Sequence, residues 1–205
     1  MLIMLIVLIF SAIIHEISHG FVAERLGDPT ARLMGRLTLN PRKHIDPIMS
    51  IFLPLMLIFS GSPVIFGAAK PVPVDPFNLR DGRKDIALVS LAGPLSNIIV
   101  AVIAAIVIKI LFFTGIFIPV IYYLLSVIIQ INLLLAIFNL IPIPPLDGSK
   151  VFALLLPERE SRIYLSLSSV GFLIIFMLLL FPIGGLSLSN LIFYLLTFAQ
   201  KLLGV

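Results

Sequence analysis

Three ionisable side chains fall within five residues of a stretch that otherwise has the composition of a bilayer-spanning helix. His15-Glu16-Ile17-Ser18-His19 follows fourteen residues, Met1 to Ile14, that carry no charged side chain. On a helix His15 and His19 stand one turn apart on the same face. Two imidazoles at that spacing suit one zinc ion, and Glu16 lies where it can reach a water beside the metal. The bland alternative is a polar helix face whose histidines hydrogen-bond to their neighbours. Charged groups at bilayer depth cost about 2.5–3.5 kcal/mol each, so a functional cause is the default expectation.

Composition supports the membrane setting. Hydrophobic residues make up 60% of the 205 and charged residues 12%, with a mean hydropathy of +1.20. A soluble domain is about half apolar and about a quarter charged. The expectation is an all-α polytopic membrane protein of five to six transmembrane helices with short loops. The chain has no cysteine, which excludes disulfides and thiolate metal ligands. Its net charge of +4 reads as topology-setting loop charge and not as a nucleic-acid surface. Met1–Ile14 has neither a basic n-region nor a small-residue cleavage site, so it is expected to be a retained helix.

In order, helix one is expected from Met1 to Leu26, stopped by Gly27-Asp28-Pro29. Alternation over Leu33–Asn40 predicts a short β ribbon near the cytoplasmic face. Ile48–Phe66, broken by Pro54 and Pro63, reads as a span or a re-entrant hairpin. Gly67–Asp85 is a Pro-rich loop. Ile86–Phe113 and Ile118–Pro142 are long spans, and Ile163–Phe181 with Leu186–Leu203 is a closing pair joined by a tight turn at Pro182–Gly185. The basic residues after helix one, before Ile86 and after Asp147 share a side only if Ile48–Phe66 re-enters. The positive-inside rule therefore favours five spans plus a hairpin, with the amino terminus outside. The domain division expected is 1–155 as a metal-site core and 156–205 as a C-terminal helix pair.

A catalytic zinc takes three protein ligands and keeps one position open. Glu24, Asp28, His44, Asp46 and Asp147 are the candidates for the third. Asp147 stands out because it ends an uncharged run from Ile110 to Leu146, whose last turns hold Pro142, Pro144 and Pro145. A carboxylate there needs a partner, and a cation is the obvious one. An ordinary Asp-Gly turn is the competing reading.

With these residues in view, the chain resembles the site-2 protease family of intramembrane zinc metalloproteases. The matching motifs are His15-Glu16-Ile17-Ser18-His19, Ala92-Gly93-Pro94-Leu95-Ser96-Asn97 and Asn139-Leu140-Ile141-Pro142-Ile143-Pro144-Pro145-Leu146-Asp147-Gly148. The resemblance covers residues 1 to about 155 and suggests a compact subtype without PDZ or CBS domains. It implies one zinc per chain held by His15, His19 and Asp147, with Glu16 as general base and then acid. It further implies that Asn139 steadies the substrate or its oxyanion and that Asn97 contributes to substrate binding. Both asparagines have an alternative reading as interhelical hydrogen bonds. The expected substrate is a transmembrane protein or peptide within the lipid bilayer. The expected location is a multi-pass protein of the cell membrane with its active site towards the cytoplasm. The rival function is an ion or metal transporter whose His, Glu and Asp line a path across the membrane.

Overall fold

The first apolar run folds as one helix, α1 (Leu2–Arg25), in the computed structural model. The structure describes residues 2–46, 70–182 and 187–204, and Phe52, Met56 and Phe59 between the first two segments. After α1 come one turn of helix, α2 (Thr30–Leu33), and 3-10 turns at Pro41–Lys43 and Pro76–Asn78. Two long helices follow, α3 (Gly82–Phe113) and α4 (Pro119–Asn139). The chain closes with α5 (Asp147–Leu154), α6 (Glu158–Ser166), α7 (Ser168–Leu180) and α8 (Leu188–Leu203).

Helix α3 is the hub, packed against α1 on one flank and α4 on another. Ala101, Ala104 and Ala105 recur at helical spacing and meet Ile129 and Leu133 of α4, with Leu196 and Ala199 of α8 alongside. In lipid, close backbone approach at small residues replaces the hydrophobic drive that joins helices in water. The outward stripe Ile99, Ile103, Ile106 and Ile110 of α3 is exposed and apolar, as a lipid-facing surface must be.

Among the described residues, three helices are long and apolar enough to cross a membrane: α1 with 24 residues, α3 with 32 and α4 with 21. A fourth span exists if α6 and α7, bent by 66° at their junction, are taken as one, and α8 is a shorter apolar helix. The described residues thus carry three or four spans, not five to six. The break lies inside the predicted Ile163–Phe181 helix. There Ser166, Ser168 and Ser169 each hydrogen-bond a carbonyl three residues back (2.7, 2.6 and 3.2 Å), a local competition that bends helices. The predicted hairpin at Ile48–Phe66 lies outside the described residues apart from Phe52, Met56 and Phe59, as does the Pro182–Gly185 turn beyond Pro182.

The predicted β ribbon is absent, and no strand occurs among the described residues. Leu33 ends α2, Gly35 turns the chain at φ +61°, and the Arg36 amide bonds back to Ala31 O at 2.9 Å. The alternation misleads because its polar member points inward. Arg36 is buried while Leu33, Met34 and Leu39 are exposed. The Arg36 guanidinium donates to the carbonyls of Lys70 (2.9 Å) and Pro71 (3.2 Å), tying this loop to the Pro-rich segment.

Asp28 anchors that segment from the other end. Fully buried, it accepts from the amides of Thr30 (3.1 Å) and Asp75 (2.7 Å), from Asn78 Nδ2 (3.0 Å) and from the Thr30 hydroxyl. Burial alone would raise its pKa, but the hydrogen bonds from Thr30, Asn78 and the Asp75 amide outweigh it and hold the carboxyl below the usual range. A folded-state pKa below the unfolded one stabilises above the unfolded value, and that gain is lost as pH falls through the folded value. Asp28→Ala is therefore expected to destabilise by about 1–3 kcal/mol at pH 6. Thermal unfolding in detergent should show the gap from wild type shrinking below about pH 4; a gap constant with pH would rule out the charged form as the source.

Candidate metal centre

His15 and His19 are both buried on the inner face of α1. Asp147, the first residue of α5, meets them from a distant part of the chain. His15 Nε2 lies 3.1 Å and His19 Nε2 3.2 Å from the same carboxylate oxygen, Asp147 Oδ2. The two rings are nearly perpendicular, at 89°, with centroids 4.7 Å apart. One ligand atom from each of the three residues falls within 4.8 Å of the others.

The outer ring nitrogens are both engaged. His19 Nδ1 is 2.7 Å from the backbone carbonyl of Val89, and His15 Nδ1 is 2.7 Å from Asn97 Oδ1. Acceptors at Nδ1 place the proton there and leave Nε2 with its lone pair. Two such lone pairs then face a carboxylate oxygen, three acceptors in one place, which only a positive charge relieves. A tetrahedral zinc with ligands at about 2.0–2.1 Å has ligand–ligand edges of about 3.3 Å. The two nitrogen–oxygen separations are close to such an edge and the remaining pair lies within 4.8 Å, so the residues fit the ion.

Local structure explains how Asp147 arrives. After α4 the chain reverses through Leu140–Leu146, where the Ile143 amide bonds to Ile141 O (2.8 Å) and the Leu146 amide to Ile143 O (3.0 Å). A Cβ on Gly148 would lie 2.1 Å from Leu140 O, so the reversal closes only over a glycine. Helices α6 and α7 buttress it. Tyr164 Oη donates to Pro142 O at 2.7 Å, and Gly171 sits directly against Pro144. Arg83, in the first turn of α3, holds the other end of α5 through the carbonyls of Ala153 and, at 2.7 Å, Leu156.

Gly93 of the Ala92–Asn97 motif has a sharper role than helix contact in general. A Cβ there would stand 2.5 Å from both His15 Cε1 and His19 Nε2. Asn97, fully buried, faces His15 on one side and donates to Asn132 Oδ1 (2.8 Å) and Ser11 O (3.3 Å) on the other. Asn139 is half-buried at the end of α4, where its Nδ2 donates to Leu135 O at 3.0 Å on the same helix. Glu16 Oε2 accepts the Val72 amide at 2.7 Å, so the Pro71-Val72-Pro73 segment runs beside this carboxylate.

The converging group contains none of the other four candidates. Glu24 pairs with Arg32, Asp28 clamps the loop as described, and His44 Nε2 bonds to Thr38 O (2.8 Å) while its own carbonyl accepts from Lys70. Asp46 lies outside the group as well. Sequence reasoning passed over Asn132, Ser11 and the Val72 amide. Asn132 had a visible signal, as one of three side-chain amides (Gln130, Asn132 and Asn139) in the uncharged run from Ile110 to Leu146; the amide of Val72 had none.

The sequence model of peptidase family M50 matches residues 3–122 and 116–182. The chain belongs to peptidase family M50. YwhC of Bacillus subtilis (strain 168), which carries the name of a zinc metalloprotease, is 37% identical over 187 residues, covering 89% of this chain and 82% of that protein. Rip2 of Mycobacterium tuberculosis, named likewise, is 33% identical over 172 residues, covering 83% of this chain and 63% of its own length. Rip2 of Mycolicibacterium smegmatis is 29% identical over 198 residues, covering 93% and 71%. No solved structure matches the chain. An M50 peptidase is an intramembrane zinc metalloprotease of the site-2 protease family, so membership decides for hydrolysis over transport. It also makes this chain an integral membrane protein with zinc as its cofactor.

Gly93→Ala is expected to push both imidazoles off the shared point without unfolding the bundle, since alanine favours a helix. Purified protein should then hold well under one zinc per chain while keeping its helical circular dichroism. A full complement of zinc would show that the space around Gly93 is unimportant to the centre.

Proposed function

We propose that His15, His19 and Asp147 hold the zinc of this M50 peptidase and that Glu16 is its general base. The observation that carries the reading is the convergence of two Nε2 atoms and one carboxylate oxygen from opposite ends of the sequence. Zinc bound there supplies a Lewis acid for the scissile carbonyl and an acidified water. Glu16 takes the proton of the attacking water and returns it to the leaving nitrogen. Its Oε2 accepts the Val72 amide, and this reading assigns the proton transfer to Oε1. Asn97 orients His15, consistent with its complete burial. Asn139, at the open end of α4, is the better placed of the two asparagines to meet a substrate.

The substrate is a transmembrane segment that unwinds locally, because a helix keeps its carbonyls hydrogen-bonded and shielded. His15 lies ten residues from Arg25, ~15 Å along α1 from its basic end. Arg25 ends α1, Arg32, Arg36, Arg42 and Lys43 follow it, and Arg80, Arg83 and Lys84 lie just before or in the first turn of α3. The positive-inside rule puts that side in the cytoplasm of a cell-membrane protein, with the site opening towards it. Residues 1–155 form the catalytic core and 156–205 a C-terminal helix region, of which α6 and α7 brace the turn that carries Asp147.

Cleavage of synthetic transmembrane peptides in detergent tests the reading. Glu16→Gln is expected to lose at least about 100-fold in rate while retaining one zinc per chain. His19→Ala is expected to lose both activity and metal. A Glu16→Gln enzyme as fast as wild type would overturn the assignment of the base.

A further inference from the structure

The two histidines are held in different ways, and the difference has a consequence for α4. His19 Nδ1 faces a main-chain carbonyl, which can only accept. His15 Nδ1 faces a side-chain amide, which accepts through Oδ1 but donates through Nδ2 if it turns over. A flipped Asn97 would present N–H to Nδ1, drive the imidazole proton to Nε2 and remove the lone pair a metal needs. Something must forbid that flip.

We infer that Asn132 of α4, backed by Ser11 of α1, is a positioning residue for the metal centre: it locks Asn97 in the orientation that accepts from His15. Acceptor-only neighbours set each amide in turn. Asn132 Nδ2 lies 2.8 Å from the carbonyl of Ile128, so its other face, Oδ1, is the one turned to Asn97 at 2.8 Å. That oxygen, together with the Ser11 carbonyl at 3.3 Å, draws Asn97 Nδ2 and leaves Asn97 Oδ1 for His15. The second N–H of Asn132 goes to Ser11 Oγ at 2.9 Å. Ser11 stands one turn before His15 on the same face, so the chain of bonds begins and ends on α1.

Both asparagines have no exposed surface, and Ser11 is buried, so water cannot substitute for any member. Neither amide has an unused donor. An interhelical hydrogen bond in a membrane bundle is weak. It adds little stability, whereas the choice between two tautomers decides whether His15 can ligate at all. Asn132 touches neither metal nor substrate and acts only through Asn97.

The inference rests on the metal-ligand reading above, and the test separates the two. Full-length protein in detergent is stripped of zinc and titrated against a competing chelator for Asn132→Leu, Asn97→Leu, the double variant, Ser11→Ala and His15→Ala. Visible absorption of the cobalt-substituted forms reports ligand geometry. Asn132→Leu is expected to weaken zinc binding about 10–100-fold and to change the cobalt spectrum. The double variant should bind no more weakly than Asn97→Leu alone, as residues acting in series do. If Asn132→Leu does not fold, Ser11→Ala removes one support without adding volume and should weaken zinc in the same direction. Zinc affinity within twofold of wild type in the folded variant, or losses that multiply in the double variant, would overturn the inference. If His15→Ala itself keeps full zinc affinity, the ligand assignment fails and not merely the role of Asn132.

Discussion

Three electron-pair donors pressed together inside an apolar bundle set the terms for the rest of this molecule. His15 Nε2 and His19 Nε2 each sit within hydrogen-bond distance of Asp147 Oδ2, in surroundings that strengthen electrostatic interactions. On the zinc reading proposed above, a cation among these atoms relieves their repulsion, and the neighbouring groups are arranged to hold it. The glycine at position 93, the reversal over Gly148, the amide pair Asn97–Asn132 and the grip of Arg83 on α5 all serve that demand.

Packing and chemistry use the same helix. Helix α3 lines its middle with alanines against α4, and nearer its start it offers the Val89 carbonyl, the vacancy at Gly93 and the Asn97 amide to the two histidines of α1. Small residues that let helices approach in lipid thus also make room for imidazole rings. The loop between α1 and α3 is held with similar care. Asp28 and Arg36 fix it at separate points by accepting from and donating to its backbone, and between them the Val72 amide reaches Glu16. Prolines on both sides of Val72 leave its N–H as the one donor of that short stretch.

Periodicity served well where one pattern had one physical cause. Fourteen uncharged residues leading into His15 could be little else than a helix in lipid, and histidines four apart must then share its face. The same reasoning failed at Leu33–Asn40, where alternation came from an inward-turned arginine and a glycine turn, not from a strand. It failed again at Ser166–Ser169, where hydroxyls compete with the backbone and break a run that hydropathy reads as continuous. Among the described residues the span count from composition overshot, since a short apolar helix such as α8 matches the composition of a span without its length.

The linear chain by itself determined the chemistry available: which helix carries the imidazoles, which carboxylate ends a long uncharged run, and that no thiolate could take part. These follow from residue type and local spacing, which are properties of neighbours in sequence. The choice of Asp147 over Glu24, Asp28, His44 and Asp46 was made by tertiary structure, as was the setting of both imidazole tautomers. Both depend on contacts between residues some 70 to 130 positions apart; the uncharged run before Asp147 marked it in the sequence, but only tertiary packing brings it to the two rings.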